Sequence, residues 1–311
     1  MRPLTWWLLL GTVSVAVCLT ARYTDVDWTP WVAAAVLVPY AFIAQVVITA
    51  LAMAFGPPTL KVAAAGILVT ATVAVASRLL PSSDSLAVGH TVPLLSANVY
   101  FQTTEAANAA RAVTSQGAKV VVLQEVTPNF AEVLTAFAPA AGYHWKALAP
   151  SWGSTGLAVL SRAPIAAYRV MNLAGQPLLR VDLRVNDTTL RIYAVHVEAP
   201  VNAAAVARWR SQLRHLEVLL RRPVPYPVIA VGDVNATVDN KPFRDLLSAD
   251  RYDAALPWLG TWPAHLPVLP PLLQLDHVLV PTPLDVGAVG TIRCPGSDHR
   301  MLRVSLVLPG S

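Results

Sequence analysis

Six places in this chain of 311 residues set a hydrogen-bonding or ionisable side chain in or at the end of an apolar run. Asn98 closes LLSAN, Glu125 closes VVVLQE and His196 closes IYAVH. Asp233 and Asn235 follow VIAVG, Asp276 and His277 interrupt QLDHVLV, and Asp298 and His299 lead into RMLRVSLVL. Taking an unpaired carboxylate out of water is costly, so acids in such places are paired, cap a helix or hold a cation. One of them would be an ordinary structural group. Six with the same habit, able to meet on one rim, point to a site. Glu125, Asp298 and the amide of Asn98 offer hard oxygen donors, which suit Mg2+ or Mn2+ better than Zn2+. HExxH and paired-cysteine zinc patterns are absent from the sequence. His196 and His299, with an unperturbed pKa of about 6.5, can serve as general acid and general base. The sequence also lacks a G-x-S-x-G elbow and a Walker loop, which disfavours covalent serine chemistry and nucleotide-driven phosphoryl transfer.

These residues need strands to carry them. Val92–Tyr100, Lys119–Val126, Gly156–Arg162, Ala166–Met171, Leu178–Val185, Leu190–His196, Val228–Val231, Gln274–Val280 and Met301–Leu308 read as strands from their apolar, β-branched runs. Helices are expected from Thr103/Thr104 to Gly117, over Thr127–Ala141 with Pro128 in the first turn, and over Lys241–Ser248. Asn202–Arg222 is the clearest amphipathic helix: Trp209, Leu213, Leu216 and Leu220 recur at helical spacing, and Arg208, Arg214 and Arg221 lie off that stripe on a solvated face. Strand series broken by a few helices imply an α/β fold, with sheets inside and helices outside. His277, next to Asp276, points to the opposite face of its strand, which suits packing or a rim role.

Composition divides the chain. It is 55% hydrophobic and only 13% charged, against roughly 25% charged in soluble domains. Residues 1–80 hold four Lys/Arg and two acids, leaving 19 basic and 16 acidic residues for the rest. That mild surplus does not by itself argue for a nucleic-acid binder, although the pI near 9.4 leaves the option open. Three uncharged runs, Leu4–Thr20, Trp31–Phe55 and Val62–Ser77, read as about three membrane crossings. The second runs through Pro39; the third reaches span length only if Leu60, Leu79 and Leu80 join it. Runs without Asp, Glu, Lys, Arg or His argue against a transporter. The expected layout is a membrane region over 1–80, a polar linker over 81–89 and a globular domain over 90–311. The Lys/Arg bias favours an inside N-terminus, which leaves that domain outside the cell after three crossings. Cys18 and Cys294 fall in different regions and say nothing of redox compartment.

In order, SANVY, VVLQEV, YAVHVEAP, VIAVGDVNAT, QLDHVLV and GSDHRMLRVSL resemble the endonuclease/exonuclease/phosphatase superfamily, here in a membrane-anchored bacterial form. This group includes deoxyribonuclease-I-like nucleases, abasic-site endonucleases, bacterial sphingomyelinases and inositol-polyphosphate phosphatases. The resemblance spans residues 90–309, and GDxN together with a terminal SDH is its most specific part. It implies a four-layer α/β/β/α sandwich, two packed mixed sheets flanked by helices, preceded by the transmembrane helical region. It also implies hydrolysis of phosphodiester or phosphomonoester bonds by in-line attack of activated water.

Residue by residue, the resemblance makes Asn98 and Glu125 metal ligands, with Asp298 at the same or a second Mg2+ or Mn2+. His299 resembles the general base and Asp276 the carboxylate that orients it. Asp233 and Asn235 look like the pair that positions water and a phosphate oxygen. His196 resembles the group that stabilises the transition state or protonates the leaving oxygen. Tyr100 stands where abasic-site enzymes use an acid, and the phosphoinositide signatures are missing, so neither subfamily is favoured. A nuclease-like substrate is expected. The alternatives are a phospholipid or sphingomyelin head group at the outer membrane face, and a catalytically silent tethered scaffold. The bilayer is the expected partner of the N-terminal helices, and no protein partner is expected. Trp152, Trp258, Trp262 and the Pro-rich stretch Trp262–Leu273 are candidates for the rim of a substrate cleft.

Overall fold

The computed structural model describes residues 3–76, 89–247, 251–253, 259–266, 268–282 and 284–309. The polar hinge expected at Pro81–Ser85, and Trp258, lie outside these residues. Two compact units are distinguishable: Met1–Asp84 with Pro200–Ala207 and Ala236–Asp245, and Ser85–Ala199 with Arg208–Asn235 and Leu246–Ser311.

The first unit is built on α1 (Pro3–Tyr23), α2 (Thr29–Val36), α3 (Val38–Phe55) and α4 (Pro58–Ala76). Of these, α1, α3 and α4 are long and apolar enough to cross a bilayer, with mean hydropathy of 1.8 to 1.9. The second apolar run is not one helix. It breaks at Leu37, and Pro39 sits in the first turn of α3, where its missing N–H breaks no helical bond. The third run gains length at its start, from Pro58, taking in the expected Leu60 together with Lys61, while Leu79 and Leu80 lie outside the described residues. Trp6, Trp7, Ile43, Val47, Val62 and Val73 face outward, an apolar surface that suits lipid better than water. Inside the bundle, the Gln45 amide and the Thr49 hydroxyl both donate to the Ala64 carbonyl, at 3.0 and 3.2 Å. At the end of α1, buried Arg22 pairs with buried Asp239, Arg244 donates to the Arg22 carbonyl, and Asn240 donates to the Val32 carbonyl at 3.2 Å.

Among the described residues of the second unit, twelve strands form two six-stranded sheets. In chain order the elements are β1 (Gly89–Asn98), α5 (Ala106–Thr114), β2 (Val120–Gln124), α6 (Pro128–Phe137), β3 (Trp145–Ala149), β4 (Leu157–Ser161), β5 (Ile165–Leu173), β6 (Gln176–Val185) and β7 (Thr188–His196). They continue with α7 (Ala203–Leu220), whose first residues belong to the first unit, β8 (Val228–Asp233), α8 (Lys241–Leu246), which falls in the first unit through Asp245, β9 (Arg251–Asp253), β10 (Asp276–Pro281), β11 (Asp285–Arg293) and β12 (Arg300–Pro309). The first sheet has the order β11-β12-β1-β2-β4-β3 and the second β5-β6-β7-β8-β10-β9. Each contains one parallel pair, β1/β2 and β7/β8, and parallel neighbours need a crossover, supplied by α5 and α7.

Apolar residues of both sheets, among them Val122, Leu179, Ile192, Val231 and Leu302, make one core. A second core lies under α5 and α6, around Val121, Leu123, Phe130 and Leu134. Helix α7 buries the expected stripe of Trp209, Leu213, Leu216 and Leu220. Its off-stripe Arg208 and Arg221 make exposed ion pairs with Glu198 and Glu217. The expected α/β architecture is therefore present, two mixed sheets flanked by helices. Helix α5 ends at Thr114, short of Gly117, and α6 at Phe137, short of Ala141.

Candidate active site

Strand direction brings the chemistry to one rim. Asn98 ends β1, and Glu125 follows the last residue of its parallel neighbour β2. His196 and Asp233 end the parallel pair β7/β8 and are register partners. Because β10 runs antiparallel to β8, its first residue, Asp276, lies opposite Asp233. Asp298 and His299 stand just before β12, which runs antiparallel to β1. In open α/β sheets the space beyond the carboxyl ends of parallel strands is where ligands bind.

Local backbone shape does the aiming. Glu125 leaves its strand with φ of 61°, a left-handed conformation unusual for a side chain of this size. At Gly232, with φ of 145°, a Cβ would lie 2.0 Å from the Val195 carbonyl oxygen. It would also lie 3.1 Å from Nε2 of Gln124. Only glycine lets β8 press this closely, one residue before Asp233.

The side chains form one connected group. Nδ2 of Asn98 donates to Glu125 Oε1 at 2.9 Å and to Asp233 Oδ2 at 3.1 Å, while its Oδ1 accepts from the Tyr100 N–H at 3.0 Å. Asn98 thus turns its amide nitrogen toward the carboxylates. Glu125 Oε2 accepts from the Phe101 N–H at 2.9 Å. His196 has Nδ1 at 2.7 Å from the Ser154 carbonyl, so that nitrogen carries the proton. Its Nε2 stands 3.7 Å from Glu125 and 3.6 Å from Asp233. His299 has Nδ1 at 2.8 Å from Asp276 Oδ2 and Nε2 at 3.6 Å from Asp233 Oδ2. The Asn235 N–H donates to Asp233 Oδ1 at 2.9 Å, and its side-chain amide donates to the Val197 carbonyl, also at 2.9 Å.

Charge follows from this geometry. Burial works against a protonated His299, but the carboxylates of Asp276 and Asp233 outweigh it and push its pKa up to about 10. Burial raises the Asp233 carboxyl, with His299 opposing. For Asp276 burial also works upward, yet His299 wins and holds it below the ordinary range. Asp276 Oδ1 is buried without a hydrogen-bond partner. Asp233, Asp276 and His299 bring ligand atoms within 4.8 Å of one another. An orphaned carboxylate oxygen beside further acids fits a hard divalent cation, whose charge would lower the His299 pKa again.

Asp298 is held differently. Its Oδ2 accepts from the Trp262 indole at 3.0 Å, and its carbonyl accepts from the Ala264 N–H at 2.7 Å. It is not hydrogen-bonded to the Asn98–Glu125 pair, although its charge contributes to raising His299. His277 is fully buried on the other face, with Nδ1 at 2.7 Å from Asp253. Sequence reasoning had no signal for the Ser154 carbonyl, nor for Thr261, whose hydroxyl accepts from the Asp276 N–H at 3.3 Å. Nor did it find Ser297, which accepts from the His299 N–H at 3.0 Å and donates to the Asn98 carbonyl at 2.8 Å. GSDH does set that serine two residues before the histidine, the spacing at which a hydroxyl accepts a local backbone N–H.

Residues 95–299 match the model of the endonuclease/exonuclease/phosphatase family. No curated protein sequence matches the chain. Among solved structures, Danio rerio TDP2 humanized by 14 mutations is 18% identical, with a TM-score of 0.60 over 70% of this chain and 99% of that one. D. rerio TDP2 complexed with single-strand DNA product is also 18% identical, with a TM-score of 0.58 and the same coverage. An endonuclease/exonuclease/phosphatase protein of Beutenbergia cavernae is 20% identical, with a TM-score of 0.56 over 71% of this chain and 72% of that one.

Proposed function

This chain belongs to the endonuclease/exonuclease/phosphatase family, and from that premise we propose that it is a membrane-anchored phosphodiesterase using Mg2+ or Mn2+. The observation that carries the reading is the convergence of Asn98, Glu125, His196, Asp233, Asp276 and His299 on one rim, from both sheets. His299 Nε2 takes a proton from the attacking water while Asp276 holds its other nitrogen. Asp233 and Asn235 orient that water and a phosphate oxygen. The water oxygen bonds to phosphorus as the opposite P–O bond breaks in line. His196 enters the step protonated on both ring nitrogens, with Nδ1–H held by the Ser154 carbonyl, and gives its Nε2 proton to the leaving oxygen; solvent then takes the proton from His299 and replaces the one His196 gave. Glu125, oriented by Asn98, and Asp298 would hold the cation, which when bound polarises the phosphoryl oxygen and offsets developing charge.

Nucleic acid is our first substrate class, by analogy with the single-strand DNA product held by D. rerio TDP2. The helices α1, α3 and α4 are read as a multi-pass anchor in the cell membrane, with the catalytic part outside. One observation favours a lipid head group instead. Leu266, Val268, Leu269 and Leu272, in the loop that leads to Asp276, are exposed, and Val268 is 86% so. The full chain in detergent or vesicles, offered DNA, RNA, sphingomyelin, phosphatidylinositol and simple monoesters, separates these readings. Hydrolysis of nucleic acid with divalent metal is expected. Preference for lipid would favour the second reading, and folded protein inactive with every divalent metal would leave a silent scaffold.

A further inference from the structure

Beside the reactive group lies a cavity of about 270 Å³, lined by Phe101, Thr103, Thr127, Asn129, Phe130 and Trp152, among others. Its two sides are the segments that hold two site residues. Phe101 gives its N–H to Glu125 Oε2 at 2.9 Å. On the other side, Gly153 lines the cavity, and the next residue, Ser154, holds His196 Nδ1 through its carbonyl at 2.7 Å. The cavity thus shares its walls with the two segments that hold Glu125 and His196.

Resting on the phosphodiesterase reading, we propose that this cavity is a subsite for a nucleobase of the substrate, with Trp152 as its stacking platform. Trp152 is 76% exposed, so its indole face is open to a ligand in the cavity. Phe101 presents a second aromatic ring, fixed edge-on against Tyr100 at 5.7 Å between centroids. Stacking on such rings is how single-stranded nucleic acids are held without reading sequence. The volume lies below that of pockets for whole drug-sized ligands, and suits one ring system. The polar lining favours a base over an acyl chain. The Thr103 and Thr127 hydroxyls accept from the Glu105 and Phe130 N–H groups, both at 3.2 Å, which leaves each hydroxyl hydrogen to donate. Such donors have nothing to meet on a hydrocarbon tail.

The test compares two esters with one leaving group, p-nitrophenyl thymidine 5′-phosphate and p-nitrophenyl ethyl phosphate, on the full chain in detergent. Wild type should prefer the nucleoside ester in kcat/KM. Trp152→Ala should reduce that preference about tenfold, the size of one lost stacking partner, and Trp152→Phe should restore most of it. Equilibrium dialysis of thymidine 5′-monophosphate against ethyl phosphate reads the same selectivity without turnover. Equal kcat/KM for the two esters, or equal losses on both in Trp152→Ala, overturns the subsite and leaves the phosphodiesterase reading standing. If neither ester is hydrolysed but Trp152→Ala still weakens nucleotide binding, the subsite stands and the hydrolytic reading falls. Tighter binding of glycerophosphocholine than of thymidine monophosphate would also overturn it.

Discussion

His299 sits between two acids with different tasks. Asp276 holds Nδ1 at 2.8 Å, while Asp233 stands 3.6 Å from Nε2, too far to hydrogen-bond that nitrogen itself. Removing the ring in His299→Ala should lower kcat by about 10²- to 10⁴-fold, with the far-ultraviolet circular dichroism unchanged. Asp276→Asn should cost less than the ring itself, because it releases the tautomer and keeps the base. A His299→Ala variant close to wild type would remove the histidine from the reaction. Glu125 is tied to the Phe101 N–H and the Asn98 amide. In Glu125→Gln one oxygen becomes a donor, and the Mg2+ concentration for half-maximal rate should rise at least tenfold. A superimposable metal titration would take Glu125 out of the ligand set. These residues were legible because each interrupts or ends an apolar strand. The roles of Thr261 and Ser154 were not, since they depend on which loop arrives beside which strand-end side chain.

At the scale of elements, the strands that carry the site read clearly and three edge elements did not. Strand β3 has an exposed, uneven burial pattern, β9 has only three residues, and β11 holds two glycines and a register shift between Val286 and Val289. Edge strands bury one side at most, so the continuous apolar signal of a central strand is missing. Pairing between β6 and β7 shows what register adds. Asp182 lies opposite Arg191, and Arg180, two residues away on the same face, joins them. Arg191 grips Asp182 at 2.7 and 3.0 Å. Burial alone would raise the Asp182 carboxyl, but the two guanidiniums hold it below its ordinary range. A folded pKa lowered in this way stabilises the protein above the unfolded value of about 3.9, and the contribution is lost as pH falls through the folded value. Asp182→Asn should therefore cost about 3 kcal/mol at pH 7, since it leaves Arg191 buried. Thermal unfolding measured from pH 7 down to pH 3 should show the gap to wild type closing at the acid end. A constant gap would mean that packing, not charge, is lost.

Across the whole molecule, composition alone separates an oily first quarter from a charged remainder, yet the compact units do not follow that division. Ala236–Asp245, which begins one peptide bond after Asn235, belongs to the same unit as the apolar helices. A linear reading could not find this, because the contact joins Arg22 to Asp239, 217 positions apart. Both partners are buried, and Arg244 adds a bond to the Arg22 carbonyl. Breaking one side of a buried pair costs about 3–5 kcal/mol, since the other charge is left without compensation. Arg22→Met should lower the unfolding temperature of the full chain in detergent, and Arg22→Met with Asp239→Asn should recover most of the loss because no charge is then stranded. An Arg22→Met protein as stable as wild type would show that Asp239 finds water.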